Sequence, residues 1–106
     1  MRGECIVKQP LISVIIPTYN RYLELGELLE CLDKQHERRF EVIIVNDNGQ
    51  RIDDVIQPYR DCLDIRTIHL EQNYKHIYAR NRGVAEARGD YILLCDDDDL
   101  LPKIMR

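Results

Sequence analysis

Apolar runs without a period alternate along this chain with stretches of helical period. Residues 11–16 (LISVII) are nearly all branched and apolar, the mark of a strand covered on both faces. Pro17 is expected to end that strand, because proline has no N–H to give a sheet ladder. Residues 18–21 then read as a polar loop with Asn20 as helix cap. Leu25, Leu28, Leu29 and Leu32 recur at i, i+3, i+4, i+7, which predicts an amphipathic helix ending between Gln35 and Arg38. Residues 40–45 (FEVIIV) form a second buried strand, closed by the turn-rich residues 46–49. A short helix is expected over 52–59, interrupted or ended at Pro58. Residues 63–70 alternate, with Leu63, Ile65, Thr67 and His69 on one side and Arg66, Ile68 and Leu70 on the other. A third helix is predicted from about His76 to Arg88, with Gly89 as its stop. Residues 91–95 (YILLC) make a fourth, buried strand. Residues 1–10 read as a polar lead-in, and Pro102 suits the first turn of another helix.

Strands separated by helices predict an α/β parallel sheet with right-handed crossovers. In such open sheets ligands bind beyond the carboxyl ends of the strands. Three polar clusters fall at those ends: residues 18–21, residues 46–48 and residues 96–99, four consecutive aspartates. In an extended backbone Asp96 and Asp98 share one face, and Asp97 and Asp99 the other. Two carboxylates about 6 Å apart repel by roughly 3 kcal/mol at an effective dielectric near 20. The cluster therefore wants a counter-charge, and a divalent ion with hard oxygen ligands is the natural one. A solvated acidic turn is the plainer alternative. Together the clusters suggest a nucleotide crevice: Tyr19 against a base, Asp47 accepting from a base N–H, the acidic run holding a metal on a diphosphate, and Arg80 adding positive charge. Taken singly, Tyr19 can equally be a packing residue, Asp47 a turn former and Arg80 a solvated helix residue.

Composition narrows the choice. A net charge of −4 and the lack of a basic stripe leave no electrostatic case for nucleic acid. With 44% hydrophobic and 32% charged residues in 106, the chain reads as one globular domain. Cys5, Cys31, Cys62 and Cys95 form no C-x-x-C pair and read as reduced thiols of a cytoplasmic protein. His36, His69 and His76 lack metal-ligand spacing. No signal peptide and no apolar run of membrane-spanning length is visible. There is no G-x-G-x-x-G after the first strand and no G-x-x-x-x-G-K-[ST], which argues against dinucleotide and P-loop sites. An aspartyl phosphatase would need a threonine after the aspartates, and none follows.

Residues 13–21 (SVIIPTYNR) resemble the opening of family 2 glycosyltransferases, which have the GT-A fold. Residues 41–50 (EVIIVNDNGQ) match that family's second-strand motif, with Asn46 where the first of two aspartates usually stands. Asn73, residues 79–83 (ARNRG) and residues 87–92 (ARGDYI) resemble its N…ARN-x-G…A-x-GDYI segment. Residues 96–103 (DDDDLLPK) resemble its D-x-D motif and the helix start behind it.

The resemblance implies a Rossmann-like open parallel sheet of about four strands in the order 3-2-1-4, flanked by helices, as a truncated GT-A fold. Residues 1–106 would be a single partial nucleotide-sugar-binding domain, since GT-A domains of the family run to about twice this length. Pro17, Tyr19 and Asp47 would line the nucleobase pocket. Asp96 and Asp98 would face the ribose and the metal-bound diphosphate, with Mn²⁺ or Mg²⁺ on Asp98. The full expected donor-binding set is Pro17, Thr18, Tyr19, Asp47, Arg80, Asp96 and Asp97, and the metal ligands are Asp96 and Asp98. The implied reaction is an inverting single displacement of a nucleotide-diphosphate sugar by an unknown saccharide or lipid-linked acceptor. No catalytic residue is assigned, because the family's base lies in the half not seen here. Residues 91–95 would then be an edge strand open to self-association. The alternative is a non-catalytic remnant that binds nucleotide or metal weakly, or associates with another chain.

Overall fold

A computed structural model of the chain describes residues 9–36 and 38–95, with the His76 side chain left aside. The elements are β1 (Ile12–Thr18), α1 (Tyr22–Asp33), β2 (Phe40–Asn46), α2 (Asp53–Ile56) running into a 3₁₀ turn (Gln57–Tyr59), β3 (Asp64–His69), α3 (Lys75–Ala85) and β4 (Tyr91–Leu94). The sheet has the order β3-β2-β1-β4, the order the family resemblance implies, and every pairing is parallel.

Side-chain alternation splits the core in two. Val14, Ile16, Val42 and Ile44 face α1, where Leu25, Leu28, Leu29 and Leu32 complete a fully buried layer. Ile15, Ile43 and Val45 face α3, packing with Ala79 and Leu70. The two central strands are covered on both faces, which is why their sequences show no polar alternation.

Gly83 decides how closely α3 lies on the sheet. A Cβ there would come within 2.5 Å of Ile15 Cγ2 and 3.2 Å of Val45 Cγ2. Both neighbours are β-branched and fully buried, so neither can swing aside. Gly83→Ala is expected to destabilise the fold by about 1–3 kcal/mol through overpacking, despite alanine's better helix propensity. Urea unfolding measures this, and an unchanged midpoint would refute the contact.

Four expectations are corrected. Pro17 lies inside β1, opposite Val45, and does not end it. Its ring nitrogen falls on the β4 flank, away from β2, so the β1–β2 ladder runs on through Thr18–Asn46. Asn20 does not cap α1; Arg21 holds that position and has no side-chain cap bond. Gly89 is not the stop of α3, which ends at Ala85; instead Gly89 N–H donates to Ser13 Oγ at 2.8 Å. Residues 91–95 are not a buried strand throughout: β4 stands at the sheet edge with Tyr91, Ile92 and Leu94 exposed. Apolar composition shows what a strand tolerates burying, not whether a layer covers it. Among the described residues no helix is long and apolar enough to cross a membrane.

Candidate functional site

The register brings the carboxyl ends of three strands level. Thr18 pairs with Asn46, and Asn46 with His69. The following loops are tied together there: Asp47 N–H donates to Thr18 O at 2.9 Å, and Leu70 N–H to Asn46 O at 2.9 Å.

Asn46 and Asp47 point to opposite sides, as strand alternation requires. Asn46 organises its own turn: its Oδ1 accepts from Gly49 N–H at 2.8 Å and its Nδ2 donates to Gln50 O at 2.7 Å. Aspartate in its place has no donor for the second bond. Asn20 Oδ1 accepts from Gln50 N–H at 2.7 Å, clamping the loop after β1 onto the loop after β2. Gly49 sits against that clamp, where a Cβ would meet the Asn20 backbone nitrogen at 2.8 Å.

Asp47, almost wholly buried, turns toward α3. Its Oδ1 accepts from Tyr74 N–H at 2.7 Å and its Oδ2 from Lys75 N–H at 2.8 Å. These are among the amides a helix start leaves without intrahelical partners, and a carboxylate there also meets the positive end of the helix dipole. Each oxygen keeps a second lone pair for another donor.

A cavity of about 300 Å³ opens beside this contact. Pro17, Thr18 and Tyr19 line it from the end of β1 and just beyond, Asp47 from the residue after β2, Asn73 from the loop before α3, and Lys75 and Ala79 from α3 itself. Tyr19 is partly exposed, whereas Thr18 is buried. Four of the expected donor-binding residues, Pro17, Thr18, Tyr19 and Asp47, therefore meet at one cavity. Arg80, half-buried on α3, is not among its lining residues. Asp96, Asp97 and Asp98 lie outside the described residues. The last described residue, Cys95, donates its N–H to Ile15 O at 2.9 Å, two residues before Pro17. Among the described residues no three metal-binding side chains cluster.

Sequence reading did not single out Lys75, and placed Asn73 and Ala79 only in a motif. These residue types do not announce a site by themselves, and their neighbours in space come from the ends of β1 and β2. Backbone conformation gives the clearest signal. Among the described residues, Asn20, Asn48 and Lys75 are the non-glycine ones with positive φ, at 55°, 64° and 76°, and all three stand at the carboxyl edge of the sheet. Asparagine tolerates that region; lysine pays about 1–2 kcal/mol for it. Such strain persists only where the surroundings over-determine it. Here Lys75 N–H is held by both Asp47 Oδ2 and Asn73 Oδ1, the latter at 3.0 Å.

A charge network occupies the opposite end of the sheet. Glu41, with no exposed surface, accepts from Ser13 Oγ and Arg88 N–H at 2.6 Å each, from Arg88 Nε at 2.9 Å and from Arg66 at 3.2 Å. Arg88 also bonds Asp64 Oδ2 at 2.8 Å. Burial alone would raise the Glu41 carboxyl, but the bonds from Ser13 and Arg88 outweigh it and hold it below its ordinary range. Since Arg88 and Gly89 lead directly into β4, the network fixes where that strand begins.

The site can be set beside known proteins. The model of Glycosyl transferase family 2 matches residues 13–104. The chain is 51% identical over 88 residues to the uncharacterized glycosyltransferase YwdF of Bacillus subtilis, covering 83% of this chain and 32% of that protein. Among solved structures, Staphylococcus aureus TarS 1–349 in complex with UDP-GlcNAc superposes with a TM-score of 0.81 at 34% identity, over 88% of this chain and 28% of that one. The mannosyltransferase PcManGT of Pyrobaculum calidifontis, solved with GDP-Man and Mn²⁺, shares the fold with a TM-score of 0.77 at 20% identity, over 95% of this chain and 31% of that one. The chain thus spans about a third of the length of the relatives it matches. With the parallel sheet order and the family motifs running from Ser13 past β4, the chain belongs to glycosyl transferase family 2.

Proposed function

We propose that residues 1–106 form the nucleotide-sugar-binding part of a metal-dependent, inverting glycosyltransferase, and that its donor is a uridine-diphosphate sugar. The observation that carries this reading is the cavity joining Pro17, Thr18 and Tyr19 to Asp47 at the level ends of β1 and β2. Tyr19 offers an exposed ring for a base, and Asp47 an oxygen with spare acceptor capacity for a base N–H. The complexes of TarS with UDP and UDP-GlcNAc favour uridine among the bases.

The donor set suits a divalent ion: aspartate oxygens are the hard ligands that Mg²⁺ and Mn²⁺ prefer. Asp96 and Asp98 would hold it, and the ion would neutralise the leaving nucleoside diphosphate. Asp47, committed to the α3 amides, stays with the base. Arg80 is assigned to the phosphate side and Asp97 to the donor. The acceptor hydroxyl would displace the diphosphate in one step, deprotonated by a base outside this chain's assigned residues.

A panel of nucleoside diphosphates, scored by calorimetry with and without Mn²⁺, tests the reading. UDP is expected to bind, and to bind more tightly with Mn²⁺. Asp98→Ala should abolish the gain from Mn²⁺, while Asp99→Ala, which an extended backbone would turn to the other face, should retain most of it. Binding that ignores both the ion and Asp98 would overturn the metal assignment. No binding of any diphosphate would favour a non-catalytic role.

A further inference from the structure

The cavity that holds Asp47 is also lined by one cationic residue, Lys75. The two residues are adjacent in space, since Lys75 N–H reaches Asp47 Oδ2 at 2.8 Å. Among the described residues no carboxylate pairs with the Lys75 ammonium, whereas Lys34, Arg38, Arg51, Arg66 and Arg88 each meet one. Residue 75 has φ 76°, a conformation that favours glycine, yet it carries a long charged side chain and lines a cavity. Strain of this kind gathers where a side chain serves a ligand.

We infer that Lys75 is a specificity-determining residue for the nucleobase, an inference that rests on the nucleotide reading above. Asp47 offers an acceptor and Lys75 a donor on the lining of one cavity. That pair matches a base edge carrying an N–H next to a carbonyl oxygen. Uracil has such an edge at N3–H and O4, and guanine at N1–H and O6. Cytosine and adenine present a bare ring nitrogen beside an amino group, which would set acceptor against carboxylate and donor against ammonium. A site built to hydrogen-bond one edge rejects its mismatch, because the polar groups facing that edge are left unpaired.

Affinities for UDP, GDP, CDP and ADP in Mn²⁺, measured on the protein and on Lys75→Met, Lys75→Gly and Lys75→Arg, test the inference. Lys75→Met keeps most of the apolar stem and removes the charge. It is expected to weaken UDP binding roughly tenfold to a hundredfold while leaving CDP unchanged, so that the UDP-to-CDP preference collapses. Lys75→Gly should do the same and also raise the unfolding temperature by a few degrees, because glycine adopts φ 76° without strain. Lys75→Arg should keep the preference. Opposite movements of stability and affinity in one variant would exclude a general folding defect. An unchanged preference in Lys75→Met, or an equal loss for all four diphosphates, overturns the base-reading role while leaving the nucleotide site intact. Failure of the parent protein to bind any of the four removes both readings together.

Discussion

Glu41→Ala is expected to destabilise the fold by about 3 kcal/mol, the largest stability effect of any single substitution considered for this chain. Removing one member of a buried ion pair usually costs about 3–5 kcal/mol, because the partner is left with an uncompensated charge. The lower end applies here, since the Arg88 and Arg66 side chains are 39% and 38% exposed and can partly rehydrate. Ser13 Oγ and the Arg88 amide also lose their shared acceptor. Glu41→Gln, which keeps the shape and one acceptor oxygen, should cost less. Urea unfolding gives both numbers, and a cost below about 1 kcal/mol for Glu41→Ala would refute the network's role.

The same group sets an acid limit. Its carboxyl is held below the ordinary value of 4.5, so the unfolded chain takes up the proton first as pH falls. The stabilisation is complete above about pH 4.5 and is lost progressively as pH drops through the lower folded value. Glu41→Gln should therefore show a shallower loss of stability on acidification, and its deficit against the parent should shrink toward low pH. A deficit independent of pH would mean that Glu41 acts by shape and not by charge.

Asp47→Ala is expected to weaken UDP binding about tenfold to a hundredfold, the value of a hydrogen bond to a charged acceptor. The substitution also strips the acceptor from Tyr74 N–H and Lys75 N–H, adding about 1–3 kcal/mol of instability at the start of α3. The two losses are separable. Affinity is measured well below the unfolding transition, together with Mn²⁺ affinity, which should stay near the parental value because Asp47 is not among the proposed metal ligands. Parental UDP affinity in a folded Asp47→Ala protein would remove Asp47 from the base pocket. Parallel loss of UDP and Mn²⁺ would reduce it to a structural residue.

Much of the fold was legible from side-chain pattern. The apolar runs at 12–16 and 40–45 cannot belong to a strand with a wet face, and the spacing of Leu25, Leu28, Leu29 and Leu32 matches the buried face of α1. The period-2 pattern at 63–70 located β3, and Pro58 marked the change from α2 to a 3₁₀ turn. Element ends were less legible. Whether Pro17 breaks a strand depends on which flank its nitrogen faces, and that is set by the neighbouring strand. Asn20 has the chemistry of a cap, but its oxygen is taken by Gln50, thirty residues away. Gly89 resembles a helix stop until the contact with Ser13 is seen.

What the sequence determined by itself was local and repetitive: which segments are strands or helices, which faces are apolar, and that polar clusters follow the first two strands. Those properties depend on residues within a few positions of one another, so hydrophobic period and turn chemistry encode them. The motifs added the family and with it the strand order. Only the tertiary structure decided that Asp47 joins the end of β2 to the start of α3, that Lys75 lines the same cavity at φ 76°, and that Glu41 is a fully buried charge among the apolar residues of β2. Each of these is a relation between segments far apart along the chain. A carboxylate in a strand looks the same in sequence whether it meets water or two guanidinium groups, and what it meets is fixed only when the layers close.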